Sequence, residues 1–182
     1  MCICYAIEQL KCAQKIVVLQ HPNEANHAKN SARLIPLCLN NVRIVVGESS
    51  DDFSELVQAC KSKPEEFAVF YPSEFSEAFE DNILQFKQQR PDTLIFIDAT
   101  WRKAYKMWQL NSWLHQLSSW HFVKPPSSRY DVRFTSVKNG LSTLEAVAYT
   151  LEAALDLDCS PLYRCFSAMQ TTVFNAKKTV DM

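Results

Sequence analysis

Short runs of β-branched and aromatic residues alternate along this chain with longer stretches in which apolar side chains recur at helical spacing. That alternation is the pattern of an α/β domain. The runs predict strands at 15–20 (KIVVLQ), 42–46 (VRIVV), 67–71 (FAVFY), 93–98 (TLIFID) and 120–123 (WHFV). Their unbroken apolar character suits a mostly parallel sheet flanked by helices on both faces. Helical spacing predicts helices over 28–39, 52–61, 73–89, 101–116, 142–157 and 161–177. In the run STLEAVAYTLEAALDLD, Ser142 or Thr143 can cap the helix, with Glu145 near the capping-box position. Pro161 after Ser160 marks the start of the last helix. Residues 124–140, with two prolines and many polar positions, break the periodicity and are expected as a loop.

At 182 residues, 47% of them hydrophobic, the chain is most simply one folded domain spanning 1–182. No apolar run approaches the roughly 20 residues of a membrane span, and no signal sequence is recognisable, so a cytoplasmic location is expected. Seven cysteines at irregular spacing fit reduced thiols there. Cys38, Cys60, Cys159 and Cys165 are expected to be small apolar members of the core. Only two glycines occur, Gly47 and Gly140. A Rossmann fingerprint or a P-loop needs several, so neither is present.

The net charge of −1 argues against a nucleic-acid partner until its distribution is considered. Residues 1–97 carry nine Lys/Arg against thirteen Asp/Glu, and 141–182 carry three against five. Residues 98–140 carry seven against two. A basic patch of that kind can meet phosphates on a neutral protein; the plainer reading is a solvated basic face.

Four predicted strands end in polar residues, at the edge where open α/β sheets bind ligands. They give Gln20-His21-Pro22-Asn23-Glu24, Gly47-Glu48-Ser49, Tyr71-Pro72-Ser73-Glu74 and Asp98-Ala99-Thr100-Trp101. Singly, each has an ordinary role: the prolines end strands, and Ser73 and Thr100 can cap helices. Together they suggest a site for an anionic, planar ligand.

In this order the motifs resemble the DTW domain family, named for an Asp-x-Thr-Trp signature that Asp98 to Trp101 match. LQHPNEANHAKNSARL is similar to the family's first motif, with His21, Pro22, Glu24, Ser31 and Arg33 at matching places. Tyr71 to Glu74 match a second. SRYDVRFTSVKNGLSTLEAVA matches the last, through Tyr130, Arg133, Leu141, Ser142, Thr143, Glu145 and Ala146. The resemblance implies a SPOUT-like fold with a backbone knot towards the C-terminus and S-adenosylmethionine as co-substrate. It implies transfer of the donor's 3-amino-3-carboxypropyl group to N3 of a tRNA uridine, releasing methylthioadenosine. Family members begin with two cysteine pairs that look like a zinc site; only Cys2 and Cys4 stand for them here, a shortened and at most partial site.

On that resemblance, Asp98 is the first choice of base for the uridine N3–H, and Glu145 the second. His21, Glu24, Arg33, Tyr71, Pro72, Ser73, Glu74, Thr100, Trp101, Leu141, Ser142 and Thr143 are expected around the donor. Within that set Glu74 would receive the ammonium, Arg33 or the amide end of the helix at Ser142 the carboxylate, and Trp101 would stack on a base. Arg102, Lys103, Lys106, Lys124, Arg129 and Arg133 are expected on tRNA phosphates. No membrane and no obligate protein partner are implied. The competing readings are an S-adenosylmethionine-dependent RNA methyltransferase and a non-catalytic RNA-binding module.

Overall fold

The computed structural model describes residues 2–27, 29–130 and 140–180, with side chains as far as 172. The chain forms two compact units. One holds Ala13–His27 and Asn41–Lys124; the other holds Met1–Cys12, Ala28–Asn40 and Pro125–Met182.

The first unit is built on a six-stranded, all-parallel sheet. Its strands are β1 (Lys15–Gln20), β2 (Val42–Val46), β3 (Phe67–Phe70), β4 (Glu77–Ala78), β5 (Thr93–Asp98) and β6 (Ser118–His121), in the order β2-β1-β5-β3-β6-β4. The α/β class and the parallel sheet expected from the apolar runs are therefore observed. β1, β3 and β5 are buried almost throughout, whereas β2 at the edge is half-exposed. Alternation along the strands divides the core. Val17, Leu19, Val69 and Ile95 pack with Met107, Trp108, Trp113 and Leu114. Phe70 instead meets Phe79, Phe86, Phe96 and Phe122, with ring centroids 5.0–5.7 Å apart. Both faces are thus covered, as parallel sheets require.

Helices of this unit are α1 (Pro22–Ala25), α3 (Ser54–Ser62), α4 (Ile83–Gln89) and α5 (Trp101–Leu110). The helix expected over 73–89 is mostly something else. Ser76 Oγ donates to the Ser73 carbonyl (2.7 Å) and accepts from the Ser73 amide (2.9 Å), closing a turn. β4 follows and pairs with β6, and Phe79, fully buried, is tied by its N–H to the His121 carbonyl. Apolar residues spaced like a helical face here serve a turn and an edge strand, so α4 begins only at Ile83. α5 likewise stops at Leu110 rather than 116, because the buried Asn111 side chain takes over: its Nδ2 donates to the Met107 carbonyl and its Oδ1 accepts from Trp113 Nε1. A 3-10 segment, Ser112–Gln116, continues the chain.

The second unit is helical, with α2 (Ile35–Cys38), α6 (Thr143–Leu155) and α7 (Ser160–Val180). The helix expected over 28–39 shrinks to a 3-10 turn, Ala32–Leu34, and α2, which carries Pro36 in its first turn. α6 buries Leu144, Val147, Ala148, Leu151 and Ala154, the i, i+3, i+4, i+7 stripe its sequence shows. Opposite on α7, Leu162, Cys165, Phe166 and Met169 are buried. Cys38, Cys60, Cys159 and Cys165 are free and buried. Burial pushes the Cys60 and Cys159 thiols up to about 12. No helix among the described residues is long and apolar enough to cross a membrane.

Gly47 shows where backbone must run close to side chains. Its N–H donates to the Gln20 carbonyl (3.0 Å), and a Cβ there would stand 2.4 Å from Asp52 Cβ and 2.8 Å from the Phe53 ring. Phe53 is a core residue, unable to withdraw. Gly47→Ala should therefore lower the unfolding free energy by about 1–3 kcal/mol, the usual range for overpacking. A denaturant midpoint equal to the parent's would mean that the β2–α3 loop relaxes without cost.

Candidate active site

The strand order of the sheet unit contains a switch point. From β1 the next strand lies to one side, β2; from β5 it lies to the other, β6; and β1 and β5 are neighbours. In open parallel sheets such a point leaves a crevice beyond the carboxyl ends of the strands, where ligands bind. The two residues that finish these strands are Gln20 and Asp98, paired in register. The pairing continues one residue further, for the His21 N–H donates to the Asp98 carbonyl (3.0 Å). The side chains meet as well: Gln20 Nε2 donates to Asp98 Oδ2 at 2.9 Å, with both residues buried. Asp98 is thus a carboxylate fixed by a strand and by an amide donor.

His21 is buried and caps α1, its Nδ1 accepting the Asn23 N–H at 3.1 Å. That bond leaves the proton on Nε2, which lies 3.1 Å from Glu48 Oε1. The other oxygen of Glu48 takes Lys106 Nζ at 3.0 Å. The Lys106 ammonium, with a smaller contribution from His21, holds the Glu48 carboxyl below the usual carboxylate range. Asn111 Nδ2 fixes the same loop through the Glu48 carbonyl (2.9 Å). His21 is therefore a positioned imidazole that locks the end of β1 to the loop after β2. Glu24, one turn on, is buried.

After β3, Tyr71 is buried and stacks on Trp108, centroids 4.9 Å apart. Burial, then the nearby Tyr105 phenol, raises the pKa of the Tyr71 phenol. Pro72 and Glu74 are exposed, and Ser73 sits in the turn held by Ser76, not at a helix cap. Ser76 Oγ also lies 2.9 Å from His121 Nδ1. After β5, Thr100 occupies the cap position of α5 but makes no side-chain capping bond, and Trp101 is exposed. The first turn of α5 carries Arg102 and Lys103 and no acid. Cations there oppose the helix dipole, at about 0.3–1 kcal/mol each. The sequence accepts that cost and gains a strongly positive corner.

The remaining expected groups lie on the helical unit, apart from Lys106, already described, and Lys124, whose Nζ is 3.0 Å from Asp81 Oδ1. Arg129 lies over the Tyr163 ring, 4.8 Å from its centroid. Its carbonyl accepts from Gln170 Nε2 (2.8 Å). Arg133 lies outside the described residues. Ser142 and Glu145 form the capping box of α6. The buried Glu145 carboxylate is heavily engaged: Oε1 accepts the Arg129 N–H (2.6 Å), Oε2 accepts the Ser142 N–H (2.8 Å) and hydroxyl (2.7 Å), and Ser128 Oγ reaches both. Such a carboxylate organises the backbone around it. Leu141, Ser142 and Thr143 are half-buried at the start of the same helix; Arg33 sits in the 3-10 turn, its N–H on Asn30 Oδ1 (3.2 Å).

The exposed thiols of Cys2 and Cys4 are 2.6 Å apart. Two thiolates are half of a structural zinc set. Among the described residues no group of three or more His, Cys, Asp or Glu gathers to complete one. The described residues thus supply two of the four ligands of such a site.

A family model described as DTW domain matches residues 1–174. Among known proteins, the chain is 27% identical to tRNA-uridine aminocarboxypropyltransferase 2 of Macaca fascicularis over 157 residues, 83% of this chain and 52% of that protein. It is 23% identical to the Mus musculus protein of the same name, over 87% of this chain and 54% of the relative. For the Drosophila melanogaster protein of that name the identity is 28%, covering 76% and 55%. The chain thus spans about half the length of these relatives. No solved structure matches.

Sequence reading placed Gln20 and Glu48 among the polar strand ends but not their roles as partners of Asp98, His21 and Lys106, and it did not single out Asn111. Glu145 is the residue whose role the contacts define most sharply. Glu145→Gln should lower unfolding free energy by about 1–3 kcal/mol, the cost of disturbing buried charge-assisted bonds. Thermal or denaturant unfolding reads this directly; unchanged stability would release Glu145 from the structural role.

Proposed function

Because the chain belongs to the DTW domain family, we propose that it transfers the 3-amino-3-carboxypropyl group of S-adenosylmethionine to N3 of a tRNA uridine. The observation that carries this reading is the buried Asp98 at the switch point, beside a helix start loaded with Arg102 and Lys103. The names of the relatives, tRNA-uridine aminocarboxypropyltransferase 2, support the same reaction. A SPOUT-like arrangement with a backbone knot belongs to this proposal too.

Uridine N3 becomes a nucleophile only as its proton leaves. Asp98 accepts that proton, held against rotation by Gln20. The N3 lone pair forms a bond to the γ-carbon of the donor's methionine part, and the carbon–sulfur bond breaks with its electrons going to sulfur. Methylthioadenosine leaves neutral. Glu74, exposed after β3, takes the donor's ammonium and so selects which carbon faces the uridine. A carboxylate near the sulfonium strengthens donor binding more than turnover, since that charge vanishes as the bond breaks. Thr100 and Trp101 line the crevice on the β5 side, while His21, through Glu48, keeps the β1 side in place. The donor contacts expected of Glu24, Arg33, Tyr71, Pro72, Ser73, Leu141, Ser142 and Thr143 are part of the same proposal, as are phosphate contacts by Arg102, Lys103, Lys106, Lys124, Arg129 and Arg133. Glu145 serves as a scaffold for Ser142 in this scheme, not as the base.

The test is nucleoside mass spectrometry of unmodified tRNA incubated with purified protein and S-adenosylmethionine. The expected product is a uridine bearing the aminocarboxypropyl group, with one methylthioadenosine released per modification. A methylated nucleoside with S-adenosylhomocysteine would establish the methyltransferase instead. Donor and tRNA binding without any product would favour the non-catalytic module.

A further inference from the structure

The exposed side of α5 carries more than its motif residues. At 100° per residue, Trp101, Tyr105, Gln109, Arg102 and Lys106 fall, in that order, within one 140° arc about the helix axis. All five are exposed, while Ala104, Met107 and Trp108 fill the buried side. Trp101 is 44% and Tyr105 60% accessible, large fractions for aromatic residues one turn apart on one face. Scattered apolar residues on a surface need no explanation, but adjacent exposed rings with cations on the same face do. The helix beneath is rigidly seated. Trp108 stacks with both Tyr71, at 4.9 Å, and His115, at 4.4 Å. Lys106 is also anchored, through Glu48. Phe75, 58% accessible, lies 5.9 Å from the His115 ring.

We infer that Tyr105, together with Trp101, is a stacking platform for an unpaired base of the RNA substrate, flanked by Arg102 and Lys106 for the adjoining phosphates. This rests on the reading of the protein as a tRNA-modifying enzyme and adds a subsite outside the Asp-x-Thr-Trp motif. The chemistry favours RNA over a protein partner. An aromatic face accepts any base through its π-system, and the cations beside it belong to the basic segment of the chain, residues 98–140. Tyr105 lies one helical turn beyond Trp101, so its ring would hold a nucleotide next to the reacting uridine, not the uridine itself. An enzyme that must expose N3, a base-pairing edge, needs its target unpaired. A neighbouring base captured on Tyr105 would help to keep the loop open.

Binding of three probes to the full chain tests this: unmodified tRNA, a fully paired RNA hairpin, and S-adenosylmethionine. Tyr105→Ala should weaken tRNA binding about tenfold, within the range for one stacked base. Tyr105→Phe should restore it, and hairpin and donor affinities should match the parent's. Two results would overturn the inference: tRNA affinity unchanged in Tyr105→Ala, which would leave this face for a protein partner, or an equal loss for tRNA and hairpin. If the parent modifies tRNA and Tyr105→Ala binds it normally, the platform alone is wrong. A parent that binds no tRNA removes both the platform and the proposed reaction.

Discussion

The parallel pairing of β1 with β5 is the constraint on which the candidate site depends. Six residues of each strand lie in register from Lys15 and Thr93 to Gln20 and Asp98. Because the register is unbroken, the two polar residues that end the strands arrive side by side, and the Gln20 amide meets the Asp98 carboxylate. A slip of one residue would reverse which side chains face each side of the sheet and separate this pair. The register is protected by core packing on both faces, through Val17, Leu19 and Ile95 on one and Phe96 on the other. Burial of each such side chain contributes about 1.5–3 kcal/mol. The positions that carry chemistry therefore inherit the rigidity of the positions that carry stability.

Electrostatics at this edge follow a consistent logic. The first turn of α5 concentrates Arg102 and Lys103 where the helix dipole is already positive, which disfavours the helix locally and favours an anion beside it. Nearby, Lys106 is tied by Glu48, and Glu48 also receives His21. One carboxylate thus organises a lysine and a histidine, while Arg102 and Lys103 have no ion pair among the described residues. On the helical unit Glu145 performs a comparable task, with backbone and hydroxyl donors among the described residues. Both carboxylates hold polar groups from several elements in place.

The fold was legible where the sequence is monotonous. β1, β3 and β5 stand out because parallel strands buried on both faces are continuous apolar runs; β1, β2 and β5 coincide with their expected bounds, whereas β6 lies at Ser118–His121 and only overlaps the expected 120–123. The two-residue β4 has no run of its own and exists through pairing with β6, so no local pattern announces it. The same holds for residues 73–82, where Ser76 and Phe79 obey tertiary contacts over helical periodicity. At the site, the motif residues were visible as polar strand ends, and the Ser142–Glu145 capping box as a spacing. What the spacing could not reveal was that Arg129 and Ser128 also converge on Glu145, because those contacts join residues 16 and 17 positions apart. Tyr105 was invisible for the opposite reason: a tyrosine on an amphipathic helix looks the same whether its ring is buried or exposed.

Turnover by Asp98→Asn, measured alongside donor affinity and thermal stability, bears most directly on the account. The amide keeps an oxygen for Gln20 and the same shape, but it cannot take the uridine proton. Product formation is expected to disappear, with S-adenosylmethionine affinity within a few-fold of the parent's and the melting temperature little changed. Near-normal turnover in a folded Asp98→Asn protein would contradict the central claim, since the carboxylate at the β1–β5 switch point would then have no part in the proton transfer.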